Sequence, residues 1–200
     1  MPAADMEDHM KIILASSSPR RKELLTQAGA EYICDPAEID ETVEGDTLPE
    51  EYVMALSLKK AEAVHERHPH DLVIGADTIV ACDDKILGKP KDEEDALRML
   101  RMLSGRSHIV CTGVTLIRGD SPEGKKTVDT FSVVTRVTMY SNDDETLRRY
   151  ISTKEPMDKA GAYGIQGRGA LLVQGIEGDF YNVMGLPIAE VMRHIKSLSA

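Results

Sequence analysis

The 200-residue chain is 42% hydrophobic and 29% charged, with a net charge of −10 and a pI near 5.1. That composition supplies a single domain of ordinary size with a real core, and it excludes a disordered chain. It also argues against a nucleic-acid or anionic-membrane surface, so any local concentration of basic residues on this acidic body is informative.

Residues 1–10 read as a flexible N-terminal extension, with a single domain expected over 11–200. The first strand pattern, IILAS (12–16), leads into SSSPRRK, where Ser18 is suited to cap a helix over 18–28 and Pro19 to open it. The first turn of a helix presents free N–H groups and the positive end of the dipole, so stability selects acids there. Arg20, Arg21 and Lys22 have the opposite sign. The helix expected over 92–103 is the contrast: it opens with Asp92, Glu93, Glu94 and Asp95 and repeats apolar residues from Ala96 to Leu103. Hydroxyls, amides and guanidinium groups gathered at SSSPRRK suit an anion such as phosphate. Taken alone, they are equally compatible with a solvated basic turn.

A strand over 31–36 is followed by AEIDE, whose Glu38, Asp40 and Glu41 suit either a hard divalent ion or a surface loop. The helix over 48–67 carries an apolar stripe of Tyr52, Val53, Leu56 and Ala63, with Lys59 and Lys60 on its edge. It ends in HERHPH, where His65, His68 and His70 lack cysteine partners and read as surface. The strand over 71–82 contains Asp77 inside LVIGADTIVA, where an ionised carboxylate is costly unless it meets a cation, a metal or hydrogen-bond donors. Gly75 permits close approach by backbone or ligand, and Thr78 adds a hydroxyl. In ILGKPK, Lys89 follows a further strand and precedes a proline that fixes the chain direction.

Residues 108–117 and 126–140 read as a long antiparallel hairpin joined by RGDSPEGKK, with a helix over 142–153 after it. MDKAGAYGIQGRGALL then surrounds Gln166 with Gly161, Gly164, Gly167 and Gly169. The glycines allow close backbone approach, and a side-chain amide offers the donor and acceptor needed to read a base edge. Weaker strand patterns at AYGIQG and ALLVQGIEG and a helix over 187–198 complete an α/β fold with a mixed sheet. Cys34, Cys82 and Cys111 form no CxxC pair, which fits a reducing cytosol and neither a disulfide framework nor a zinc site. No apolar stretch reaches the roughly 18 to 20 residues of a membrane span, and the polar start lacks the core of a signal peptide. A soluble, cytoplasmic protein is expected.

Taken in order from about Ile12 to Ile195, the segments ASSSPRR, EIDE, LKKA, GADTIV, GKP, LSGR and EPMDKAGAYGIQG resemble the Maf family of nucleoside triphosphate pyrophosphatases, once named for septum formation. The resemblance implies an elongated, two-lobed α/β body of the Maf/ITPase-like kind, with a central cleft and a mixed sheet flanked by helices. It implies cleavage between the α and β phosphates to a monophosphate and pyrophosphate, and house-cleaning of nucleotide pools. By position, Asp77 matches the proton acceptor, and Arg20, Thr78 and Gln166 match specificity positions. Ser16, Arg21, Glu41, Lys60 and Lys89 match other cleft residues, with Glu41 and Asp77 expected to hold Mg²⁺ or Mn²⁺ and Arg20, Arg21, Lys60 and Lys89 to bind the triphosphate. AYGIQG resembles the subgroup acting on dTTP and UTP, with modified pyrimidine nucleotides within reach of the same amide. Lys59 stands where the family often has an acid, leaving Lys59 and Lys60 as rival candidates for the cleft. A homodimer is among the assemblies the resemblance allows. A nucleotidyltransferase and a nucleotide-binding regulator of cell division remain alternatives at this point.

Overall fold

The computed structural model describes residues 11–43, 47–83, 85–119 and 126–198. The expected extension over 1–10 and most of the RGDSPEGKK turn lie outside the described residues. Among the described residues seven strands form one mixed sheet in the order β2-β1-β3-β5-β6-β7, with β4 beside β3. The strands are β1 (Ile12–Leu14), β2 (Tyr32–Cys34), β3 (Leu72–Cys82), β4 (Lys85–Leu87), β5 (Ser107–Arg118), β6 (Thr127–Met139) and β7 (Val173–Glu177). The helices are α1 (Pro19–Gln27), α2 (Pro49–His65), α3 (Glu93–Leu103), α4 (Asp144–Ile151), α5 (Phe180–Met184) and α6 (Ile188–Leu198).

The early alternation of strand and helix gives the parallel half, β2-β1-β3, because a helical crossover returns each strand in the same direction. The long hairpin pairs β5 with β6 antiparallel from Ser107–Thr138 to Arg118–Thr127. Its junction with the parallel half is β3, which pairs antiparallel with β5 and is buried along almost its whole length. That explains a sequence that is apolar but for Gly75, Asp77 and Thr78.

Glycine sets how closely α2 lies on this sheet. A Cβ on Gly75 would come 2.3 Å from the Ser57 carbonyl oxygen, and one on Gly113 would come 2.3 Å from that of Val53. The close approach that Gly75 permits is therefore made by the α2 backbone. Gly113 stands directly opposite Asp77 in the β3–β5 register. With period-two alternation, Asp77 shares the α2-facing side with Gly75, while Thr78 looks to the other. The apolar core divides into clusters. One packs α3 and α4 against Val80, Val110, Val137 and Met139; another joins Leu24, Leu25, Ile74, Leu116, Leu186 and Val191.

AYGIQG is not a strand. Short 3-10 turns occupy Ala160–Ala162 and Gly167–Leu172, and the positive φ of Gly161 (66°) and Gly167 (65°) breaks any extended run. β7 uses only the end of ALLVQGIEG. Helix α5 carries no periodic signal over its five residues; Asp179 Oδ1 accepts from the Tyr181 amide at its start, and Gly185 at φ 113° ends it. His68 lies between Asp35 and Asp71, and Arg67 bonds Asp35 through two nitrogens, so part of HERHPH secures the end of α2. All three cysteines are free thiols, two of them buried. No helix among the described residues is long and apolar enough to cross a membrane.

Candidate active site

A cleft of about 540 Å³ opens where β1 runs into α1, and it borders the middle of β3, the chain after β4 and the glycine segment near Gln166. Ser16, Arg20, Arg21, Glu41, Lys60, Asp77, Thr78, Lys89 and Gln166 all line it. Six separate sequence segments supply these side chains.

Its innermost ion pair is between α2 and β3. Lys60 Nζ donates to Asp77 Oδ1 at 2.6 Å and stands 2.8 Å from Glu41 Oε1. Lys60 and Asp77 are each 9% exposed, so the cation compensates a carboxylate that the apolar strand alone leaves uncompensated. The Lys60 hydrogen bond holds the Glu41 carboxyl below its ordinary value. Lys59, one residue away on the helix, turns outward and donates to the Thr42 carbonyl oxygen at 2.9 Å. Lys60 is thus the lysine of the cleft.

At the start of α1 the two arginines diverge. Arg21 is buried: its Nε donates to the Gly185 carbonyl oxygen at 2.8 Å, Nη1 to Ser16 Oγ at 3.1 Å and Nη2 to Thr78 Oγ1 at 3.0 Å. Burial lowers its pKa, opposed by the charge of Asp77. The Thr78 hydroxyl also meets Thr112 Oγ1 at 2.9 Å, and Thr112 donates to the Asn182 carbonyl oxygen. This polar ladder joins α1, β3, β5 and α5 beneath the cleft. Arg20 instead reaches across to Asp158 Oδ2 at 3.2 Å, and Asp158 also pairs with Lys159 at 2.7 Å. Ser18 occupies the N-cap position, but its hydroxyl makes no capping bond; its own amide donates to Ser16 Oγ at 3.2 Å. By contrast Asp92 Oδ1 caps α3 by accepting from the Asp95 amide at 2.8 Å. Lys89 and Gln166 are exposed on the cleft.

Asp158 and Lys159 carry no distinctive sequence signal, because a DK dipeptide reads as ordinary surface beside the glycines of MDKAG. Tyr163 carries none either. It lines the cleft and bonds the buried His108 at 2.7 Å, while burial lowers His108 to about 4 and raises the Tyr163 phenol. Counting Lys159, five cationic side chains line the cleft against the carboxylates of Glu41, Asp77 and Asp158. A locally positive cleft on an acidic chain favours a polyanion.

Glu41 and Asp77 offer oxygen donors of the kind a hard divalent ion takes, since such an ion fills the rest of its shell with phosphate oxygens and water. Among the described residues no three His, Cys, Asp or Glu side chains gather in a metal-holding group. The two carboxylates by themselves fit an ion that takes the rest of its shell from phosphate oxygens and water.

Residues 11–198 match the family model described as Maf-like protein. The chain is 50% identical over 190 residues to the dTTP/UTP pyrophosphatase of Bacillus cytotoxicus, covering 95% of this chain and 96% of that protein. It is 50% identical over 188 residues to the protein of the same name from a Geobacillus species, covering 94% and 98%. With that of Agathobacter rectalis it shares 51% identity over 201 aligned positions, covering 94% and 97%. The chain belongs to the Maf family.

Proposed function

From that membership, we propose that this chain is a nucleoside triphosphate pyrophosphatase that hydrolyses dTTP and UTP between the α and β phosphates. Modified pyrimidine triphosphates fall within the same reading, and the role is clearance of the nucleotide pool in the cytoplasm. The observation that carries the proposal is Asp77, a nearly buried carboxylate held by Lys60 inside a cleft with an excess of cations.

Lys60 takes Asp77 Oδ1, and the other carboxylate oxygen receives the proton of the attacking water. The water oxygen bonds to the α phosphorus, the bond from that phosphorus to the bridging oxygen breaks, and pyrophosphate leaves. Arg20 and Lys89 bind the outer phosphates. Arg21 keeps Ser16 and Thr78 in place and offers its remaining donors to the polyphosphate, so much of the site is organised before substrate arrives. A divalent ion, Mg²⁺ or Mn²⁺, held at Glu41 and Asp77 with phosphate oxygens, would supply charge neutralisation for the transferring phosphoryl group. Gln166 faces the base, its amide matching the carbonyl and imide N–H of uracil and thymine.

The test is product analysis with UTP as sole substrate. UMP and pyrophosphate are expected in equal amounts with no second acceptor, and Asp77→Asn should lower turnover by roughly 10²–10⁴-fold. Orthophosphate as the first product, or near-normal turnover in Asp77→Asn, overturns the proposal.

A further inference from the structure

Gln166 sits between two 3-10 turns, outside any strand or α-helix, yet an amide that reads a base edge needs a fixed position. The fixing comes from behind the loop. The carboxylate of Glu155, just beyond the end of α4, accepts from the Arg168 amide through Oε2 at 2.9 Å, and from the Gly169 amide through Oε1 at 3.0 Å. Tyr150, the penultimate residue of α4, donates its hydroxyl to Glu155 Oε1 at 3.0 Å and accepts from the Gly164 amide at 3.1 Å. The pair therefore ties the chain down on both sides of Gln166, at Gly164 and at Arg168–Gly169.

The glycines belong to the same device. A Cβ on Gly167 would come 2.7 Å from Glu155 Oε2, and one on Gly169 would come 2.2 Å from the Gly164 carbonyl oxygen and 2.7 Å from the Tyr150 hydroxyl. Three backbone amides reach the pair only because these positions lack side chains. Glu155 is anchored in turn: its own amide donates to Thr153 Oγ1 at 3.2 Å, and Tyr150 packs in the core cluster of α3 and α4. Backbone hydrogen bonds also favour the charged form of Glu155 over the cost of partial burial, which leaves its carboxyl below its ordinary value.

We infer that Glu155 and Tyr150 are positioning residues for nucleobase selection, clamping the Gly164–Gly169 loop so that Gln166 meets the base at a fixed height in the cleft. The inference rests on the proposed role of Gln166. It assigns base discrimination, distinct from phosphate handling, to a carboxylate that touches neither base nor phosphate.

The test compares kcat/KM for UTP, CTP and the base-free methyl triphosphate in Glu155→Gln, Tyr150→Phe and Gln166→Ala. Glu155→Gln replaces an acceptor facing two amides by a group that is half donor. Tyr150→Phe deletes one oxygen and keeps the packed ring, so it carries the test if the first variant fails to fold. In both clamp variants the UTP-to-CTP preference should fall about tenfold, the size of one lost polar contact, and UTP hydrolysis should fall more than that of methyl triphosphate. If Gln166→Ala loses the preference while both clamp variants keep it, the clamp is refuted and the Gln166 reading stands. Equal losses on all three substrates in the clamp variants show a general structural role and also refute it. If Gln166→Ala keeps the preference, the reading of Gln166 falls, and the clamp inference falls with it.

Discussion

Replacing Lys60 by Met should destabilise the protein by an amount that depends on whether Asp77 keeps its charge. The Lys60 and Asp77 side chains are 11% and 12% exposed, and their charged atoms are 2.6 Å apart. At an effective dielectric of about 20 that contact corresponds to roughly 6 kcal/mol of attraction, offset by several kcal/mol for removing each ion from water. The intact pair is therefore nearly neutral for stability, and removing one member is not. Breaking a buried pair costs about 3–5 kcal/mol; since this one faces a cleft, about 2–4 kcal/mol is expected for Lys60→Met. Asp77→Asn leaves Lys60 with Glu41 at 2.8 Å, so a smaller loss of about 1–2 kcal/mol follows. The double variant removes both charges and should lie near Asp77→Asn alone, so the coupling equals the Lys60→Met loss, about 2–4 kcal/mol. Urea unfolding at neutral pH, with an unchanged m-value, measures all three. Additive losses, with a coupling below about 0.5 kcal/mol, would refute the charge-compensation argument.

Arg20→Glu should weaken nucleotide binding by about 100-fold or more, because charge-assisted contacts to phosphate become repulsions. Stability should stay within about 1 kcal/mol: an ion pair whose side chains are 27% and 60% exposed is worth little, and an acid in the first helical turn returns a few tenths. Titration calorimetry and urea unfolding check the two halves, and a stability loss well beyond that range assigns this arginine to the fold. Acid should destabilise the protein through His108. It stays neutral when folded down to about 4, whereas the unfolded chain takes up the proton below the ordinary value of 6.5. The unfolded state then binds more protons between those values, so stability falls as pH drops through that window, by up to about 3 kcal/mol. His108→Gln, which can still bond Tyr163, should flatten this slope; an unchanged slope would show that other groups set it.

Much of this was legible because it violated a local rule. Asp77 interrupts an apolar strand, and the first turn of α1 carries the wrong charge; each marks a place where a partner outside the local sequence is required. The long strands declared themselves by apolar runs in β3 and β5 and by β-branched residues in β6. What stayed hidden depends on contacts remote in sequence. Lys59 and Lys60 differ by one step of about 100° around a helix, which a stripe on its edge cannot resolve. Asp158 is recognisable only beside Arg20, 138 residues earlier, and Glu155 only once the glycine loop folds back on it. AYGIQG reads like a short strand, but Gly161 before it and Gly167 at its end adopt positive φ, its Gly164 amide turns to Tyr150, and the Arg168 and Gly169 amides just after it turn to Glu155.

The same contacts rank the cleft's ion pairs by how readily they exchange. A triphosphate entering the cleft competes with partners the cations already have. The Arg20–Asp158 pair is half open to water and worth at most about 1 kcal/mol, so phosphate oxygens displace Asp158 at little cost. Arg21 is buried with three oxygens around it, and breaking that set takes a donor from Ser16, Thr78 and the Gly185 carbonyl at once. Lys60 sits between Asp77 and Glu41, where withdrawal leaves two carboxylates facing the phosphates. Under the proposed function, Arg20 is therefore the cation expected to change partners on binding, Arg21 the one expected to stay, and Lys60 the one expected to remain with Asp77. The basic turn that stability alone does not explain divides between two neighbouring arginines, one exchangeable and one fixed, because adjacent positions on α1 face different walls.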